Sequence, residues 1–366
     1  MDTIRHAVTS DLPAVAALFQ RVFRHTQDPP PQSLISCFDT VYFKNPLFDE
    51  SLSPLVFESD GKIVAFVGTY PFPFRLNGSR IMTVLAGNLM VDPDLKNPTV
   101  AARLMKQLFA GPQDATLTDT ANDNARRLWE ALGSVTVQSY SFQWLRLIRP
   151  TRYVTYVASR GSRALAPLEV LSRPFCFVFD AIARRPKASP FNIESSDLLG
   201  EELTTENLLE GIKKLSARRS LVPDYDISLL QWYIARAAEK REYGDLRRVG
   251  LHDAHGVLAG WYLYYSKPGA PAQLLQCAAT PPMTTRVLRH LLSDAAERGS
   301  LALIGRFDPQ MVREMSALGC VFTNRGTHVQ AHSRRKELIQ ALYSGDAFFS
   351  RLEGEWWTRL QGDRFD

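Results

Sequence analysis

Residues 54–72, PLVFESDGKIVAFVGTYPF, set two apolar runs about Asp60-Gly61, and residues 247–265, RRVGLHDAHGVLAGWYLYY, do the same about Ala254-His255-Gly256. An Asp-Gly turn between apolar runs is a strong local signal for an antiparallel hairpin, because both turn positions need the positive φ that Gly and Asp tolerate. What constrains the fold most is that the same succession of elements follows each hairpin. After the first come RLNG, the strand RIMTVLAGNLMV, the helix TVAARLMKQLF, the strand ATLTDT, the helix NDNARRLWEALG closed by Gly133, and further strands within SVTVQSYSFQWLRLI. After the second come the strand AQLLQCAA, the helix TRVLRHLLSDAAERG, the strand LALIGRF, the helix DPQMVREMSALG and a closing hairpin, CVFTNRGTHVQAHS. The phrase EALGSVTV at 130–137 returns as SALGCVFT at 316–323, with the same helix-stop glycine. The chain is therefore read as a duplicated α/β (α+β) unit, each copy a mixed, largely antiparallel sheet flanked by helices.

A chain of 366 residues accommodates two such domains. The expected division is 1–150, a connector over 151–190, and 191–366. The first domain opens with the strand IRHAV and the helix DLPAVAALFQRVF, which Ser10 or Asp11 can cap with Pro13 in its first turn. The connector contains helical pieces within LAPLEVLSRPFCFVFDAIARR before the breaker-rich RPKASPF. Its apolar stretch PFCFVFDAIA, 174–183, falls short of the roughly 18 residues needed to span a bilayer, and reads as a buried or interfacial helix. Cys37, Cys176, Cys277 and Cys320 are widely spaced, with neither metal-binding nor disulfide-scaffold spacing. The N-terminus lacks the apolar core of a signal peptide, so a cytoplasmic setting is expected. A net charge of +5 favours anionic ligands without demanding nucleic acid.

Two motifs give the first domain a resemblance to the GCN5-related N-acetyltransferase (GNAT) superfamily. Val91-Asp92-Pro93 matches the valine-x-proline phrase that ends that family's fourth strand, and KNPTVAA, 96–102, then stands in the register of its Q/R-x-x-G-x-G/A loop. Asn122, Ala125, Leu128 and Gly133 fit its N-x-x-A-x-x-L-Y-x-x-x-G pattern, with Trp129 in the tyrosine place. The resemblance implies tandem GNAT-like domains and an acyl-CoA co-substrate, acetyl-CoA or another, held against Leu89, Met90 and Val91. Its pyrophosphate would meet Lys96, Asn97, Thr99, Val100, Ala101 and Ala102, with Asn122 and Trp129 nearby. Amides at a helix N-terminus attract anions, which Thr99 and Ala101 can still supply, but Pro98 removes one donor and no glycine relieves the turn. The local alternative is a helix capped by Thr99. Trp129 is a donor only, so it cannot take the tyrosine's part as a general acid, and packing is the other reading of it. In the second domain TPPMTT, 280–285, is poorer still.

Transfer to an amine or hydroxyl needs a base and backbone donors at the thioester carbonyl. Asp119, ending the strand TLTD, and Asn88, on the fourth strand, are the candidate catalytic residues; hydrogen-bonded strand polarity is the alternative for both. His252 and His255 flank a turn without a cluster of metal ligands, so no metal is expected. His328 and His332 share a strand face, Arg306 and Asp308 end a strand, and either set is open to a cleft or a structural role. The tail, with Phe348, Phe349, Leu352, Trp356 and Leu360 near helical spacing, reads as core packing, with stacking of Trp356 and Trp357 on a sugar as the alternative. The expected function is acyl transfer from acyl-CoA to a small-molecule, sugar or peptide acceptor. Two rival readings keep the fold: a non-catalytic binding or scaffold protein, and a transferase using aminoacylated RNA.

Overall fold

Both hairpin turns of the first domain form as their sequences require. Asp60 and Gly61 have φ of 49° and 74°, and Asn77 and Gly78 have 50° and 85°, so two-residue left-handed turns join β2 (Leu55–Ser59) to β3 (Lys62–Leu76) and β3 to β4 (Ser79–Val91). The structure, a computed structural model, describes residues 2–95, 97–161, 175–182, 189, 191–324, 326–358 and 363–365. The Lys96 assignment and much of the connector lie outside them.

The chain divides into two compact units, but not at the expected boundaries. The first comprises Met1–Ser141, Arg219–Ala237 and Gly326–Asp366, and the second Phe142–Arg218 and Ala238–Arg325. In the first unit β1 (Thr3–His6), β2, β3, β4, β5 (Ala115–Ala121), β15 (His328–Ser333) and β6 (Val135–Thr136) lie in that order, with β9 (Leu221–Pro223) added to the far end of β3. The second unit's order is β14 (Val321–Thr323), β7 (Gln143–Leu147), β13 (Ala302–Arg306), β12 (Ala272–Ala279), β11 (Leu258–Ser266), β10 (Asp245–His252) and β8 (Leu199–Glu202).

The two orders match strand for strand, which is the duplication in physical form. Read from β1 and from β8 respectively, the sixth strand of each sheet, β15 and β7, comes from the other half of the sequence. The expected closing hairpin at 320–333 is accordingly not formed: β14 pairs with β7, whereas β15 pairs with β5 and β6. The stretch SVTVQSYSFQWLRLI supplies two strands, β6 and β7, separated by a four-residue helix, Gln138–Ser141. Apolar alternation sets which face of a strand is buried, not which neighbour it finds.

In the first unit, α1 (Leu12–Phe19) and α2 (Gln32–Tyr42) precede β2, and α3 (Val100–Phe109) follows β4. α3 buries Val100, Leu104, Met105, Leu108 and Phe109 at helical spacing against Phe57, Val67, Val84 and Ala86. Each such side chain contributes roughly 1.5–3 kcal/mol of transfer free energy. The tail 347–355 is irregular rather than helical, and ends in the short turn Trp356–Thr358. Trp356 and Trp357 are buried, Trp357 against Trp232 and Tyr233, so they are core and not a sugar platform. No described helix is long and apolar enough to cross a membrane.

Candidate functional site

β4 and β5 run parallel but pair only over Thr83–Leu85 and Ala115–Leu117. Beyond those residues the strands have no shared register, and a cleft of about 520 Å³, counted out to its open mouth, lies where they part. Its walls include Gly87, Asn88 and Leu89 from β4, Thr118 and Thr120 from β5, and Asn122 and Trp129.

A bulge shapes the β4 side. Gly68 of β3 faces Gly87 while Phe66 faces Met90, so Asn88 and Leu89 together oppose Val67. Asn88 takes φ of 50°, a left-handed value that Asn tolerates better than most residues. In such a bulge the extra residue stands outside the regular ladder pairing. The Asn88 side chain donates from Nδ2 to the Tyr42 hydroxyl at 2.9 Å, and Tyr42 stacks on Tyr70 with ring centroids 5.4 Å apart. Burial raises the pKa of both phenols, so they keep their protons.

The residue that sequence reasoning missed comes from the tail. Glu355 is 3 % exposed and lines the cleft. Its Oε1 accepts from the hydroxyls of Thr118 and of Thr120, the latter at 2.6 Å, while Oε2 is buried without a hydrogen-bond partner. The fit is close. A Cβ on Gly87 would collide with the Glu355 carboxylate, and one on Gly354 with that of Asp119. Asp119 is buried and accepts the Glu355 backbone N–H at 2.8 Å through Oδ1. Burial first, and the neighbouring Asp119 charge second, push the Glu355 carboxyl up to about 8.

Glu355 is further fixed by Thr358, whose backbone N–H donates to its carbonyl at 3.0 Å and whose hydroxyl meets that of Tyr70 at 2.9 Å. Trp357 Nε1 donates to the Gly354 carbonyl at 3.0 Å. Two residues earlier, Glu353 is also buried and accepts from the Tyr225 hydroxyl and from Ser350, a closed network that holds the tail. The sequence signal was a carboxylate set among tryptophans in an apolar tail, since unpaired buried carboxylates are rare.

Of the other expected site residues, Asn88, Leu89, Asn122 and Trp129 line the cleft together. Met90 turns its side chain into the core. Asn122 caps α4 (Asp123–Ala131), accepting from the Ala125 N–H at 2.9 Å. Trp129 is 3 % exposed and meets Phe109 edge-on at 5.0 Å, so it both packs and walls the cleft. At the start of α3, Asn97 Oδ1 accepts from both the N–H of Thr99, at 3.0 Å, and its hydroxyl, at 2.8 Å. Thr99 thus occupies the cap position without capping through its side chain. The amides of Val100, Ala101 and Ala102 form the first helical turn, whose N–H groups have no intrahelical acceptor.

The histidines do structural work. His328 Nε2 lies 3.1 Å from Asp123 Oδ1, His332 stacks on Phe109 at 4.1 Å, and His252 lies 3.5 Å from Glu201. Asp308 caps the turn Pro309–Met311, accepting from the Gln310 N–H at 3.0 Å.

A splayed parallel pair, a bulged fourth strand and a helix N-terminus beyond it make up the frame of a GNAT-type acyltransferase domain. Comparison by sequence agrees: residues 3–116 match the acetyltransferase (GNAT) domain family. No curated protein matches by sequence. The fold is shared with a probable N-acyltransferase of Enterococcus faecalis V583 (TM-score 0.58, 10% identity, 93% of this chain and 74% of that one). A GCN5-related N-acetyltransferase from Anabaena variabilis gives TM-score 0.59 at 9% identity over 93% and 75% of the two chains. Saccharomyces cerevisiae N-myristoyltransferase, solved with bound myristoyl-CoA, gives 0.53 at 12% identity over 90% and 77%.

Proposed function

We propose that the first unit transfers an acyl group from acyl-CoA to an amine or hydroxyl of a small-molecule, sugar or peptide acceptor, with Glu355 as the general base. The observation that carries this reading is the buried, unpartnered Oε2 of Glu355 in the opening between β4 and β5. A carboxylate raised to about 8 is matched to taking a proton near neutral pH. The co-substrate would supply a thioester; the α3 N-terminus and Asn122 would hold its pyrophosphate and arm, with Lys96 as the basic side chain that the sequence gives this loop.

In this reading Glu355 takes the acceptor's proton, the new bond forms from the acceptor nitrogen or oxygen to the acyl carbon, and the carbon–sulfur bond breaks, the sulfur leaving as a thiolate that takes its proton from solvent. Backbone N–H groups at the Asn88 bulge would stabilise the developing oxyanion. Asn88 and Asp119, expected to be catalytic, act instead as positioning residues: Asn88 holds Tyr42, and Asp119 fixes the Glu355 backbone and raises its carboxyl. The cleft's apolar wall of Val67, Met105 and Trp129 suits an acetyl or other short acyl chain. Titration calorimetry with acetyl-CoA and with free coenzyme A tests the donor. Saturable binding that Lys96→Glu weakens far more than Lys106→Glu is expected. Equal effects of the two substitutions, or no binding, would favour a non-catalytic module, a reading to which the capture of the Thr99 N–H by Asn97 lends support.

A further inference from the structure

The connector's apolar stretch lies within the second unit and takes no part in the cleft. Residues 150–161 form α5 (Pro150–Gly161), and residues 175–182 form α6. α6 is built inside out. Its buried positions are Cys176 and Asp180, one turn apart. Asp180 Oδ1 accepts from both the N–H and the hydroxyl of Thr151, at 2.9 and 2.8 Å, and the Thr151 hydroxyl reaches the Cys176 carbonyl at 3.0 Å. A carboxylate is therefore placed at the N-terminus of α5, where the helix dipole favours it. With Asp180 holding that face inward, Phe175, Phe177, Val178, Phe179 and Ile182 turn to solvent, each more than half exposed. Val154 and Val157 of α5, one turn apart, are exposed as well. Large apolar side chains so concentrated on a short helix mark an interaction surface.

The charge of the sequence that carries these two helices says what kind of partner their face meets. Residues 150–187 carry seven basic and two acidic side chains, leaving 36 of each sign among all the others. The chain's whole net charge of +5 thus belongs to this one stretch. One of its two carboxylates, Asp180, is buried against Thr151. Exposed phenylalanines flanked by basic residues are the chemistry of a helix lying in a bilayer interface, its rings in the acyl boundary and its arginines at anionic headgroups. A second copy of the chain would bring the same positive charge to the contact and be repelled.

We propose that the α5–α6 face docks the protein on an anionic lipid bilayer. The full chain is sedimented with vesicles of phosphatidylcholine, with and without phosphatidylglycerol, at low and high salt. Binding to the anionic vesicles, weakened by salt, is expected. Phe177→Ser with Phe179→Ser should weaken it by about tenfold or more, and Arg160→Glu several-fold, because apolar insertion and headgroup attraction each contribute. The altered side chains are exposed, so an unchanged melting temperature shows that the variants fold. Failure of the parent to sediment with anionic vesicles, or undiminished binding by the phenylalanine variant, would overturn the proposal. So would a dimer that the same substitutions dissolve, which would assign the face to a second copy.

Discussion

Replacing Glu355 by Gln separates the chemistry of this side chain from its packing. The amide keeps an oxygen for the hydroxyls of Thr118 and Thr120 and puts a neutral NH2 of equal size where Oε2 faces Gly87. The parent folds with this carboxyl raised to about 8, against 4.5 for a solvated one. Between those pH values the folded chain binds more protons than the unfolded one at this group, so its contribution to stability falls as pH rises and the loss is complete above about pH 8. Relative to Gln, the parent should lose about 1.4 kcal/mol for each pH unit between 6 and 8, roughly 3 kcal/mol in all. For a unit of this size that corresponds to a melting-temperature gap widening by roughly 6–12 °C. Melting curves at several pH values give the gap. Acyl transfer by the variant should fall by about 10²–10⁴ at pH values where the parent carboxylate is ionised, and parent activity should rise through about pH 8 to a plateau above it. Parallel melting profiles together with activity within about threefold of the parent would refute both the buried charge and its use as the base.

Two further outcomes follow from the same geometry. Gly87→Ala forces its methyl group into the Glu355 carboxylate and should cost about 1–3 kcal/mol together with most activity; Gly161→Ala, with nothing within 4 Å of its Cβ, is the control, and equal melting temperatures for the two would show that the contact is not tight. Residues 1–150 expressed alone lack β15, β9 and the tail, leaving the edge of β5 unpaired. That fragment should aggregate or show no cooperative unfolding by circular dichroism, and a cooperative transition would argue that the strand supplied by 328–333 is dispensable.

What was legible in the sequence was whatever short-range chemistry decides. Asp60-Gly61 and Asn77-Gly78 specify left-handed turns within two residues, and Val91-Asp92-Pro93 with the Asn122 motif locates a cleft whose walls do include Asn88, Leu89, Asn122 and Trp129. What was hidden depends on partners remote in the chain. The 320–333 stretch has the pattern of a hairpin, yet its two strands join different sheets, because pairing energy is collected from neighbours that alternation cannot identify. The spacing of Phe348, Leu352 and Trp356 resembles a helix, but Glu353 and Glu355 draw that segment into side-chain hydrogen bonds instead. Glu355 itself meets Asp119 across 236 residues, beyond the reach of any local motif.

This distance has a consequence for how the site is assembled. The bulge at Asn88 and the opening between β4 and β5 arise within the first half of the sequence, but the carboxylate that would use them arrives with the last strand and the tail behind it. Asp119 accepts the Glu355 N–H, Tyr140 donates to the Ala347 carbonyl at 2.6 Å, and the Phe348 N–H reaches the Leu221 carbonyl at 2.8 Å. Each contact joins the tail to a segment made much earlier, so each carries the entropic cost of closing a long loop. A raised carboxylate adds to that cost above neutral pH. The buried aromatics of the tail, Phe348, Phe349, Trp356 and Trp357, offset both through apolar area removed from water. The hydrophobic tail is thus the means by which an otherwise unfavourable charge is held in the cleft, and two tryptophans, Trp356 and Trp357, follow the proposed base directly in the chain.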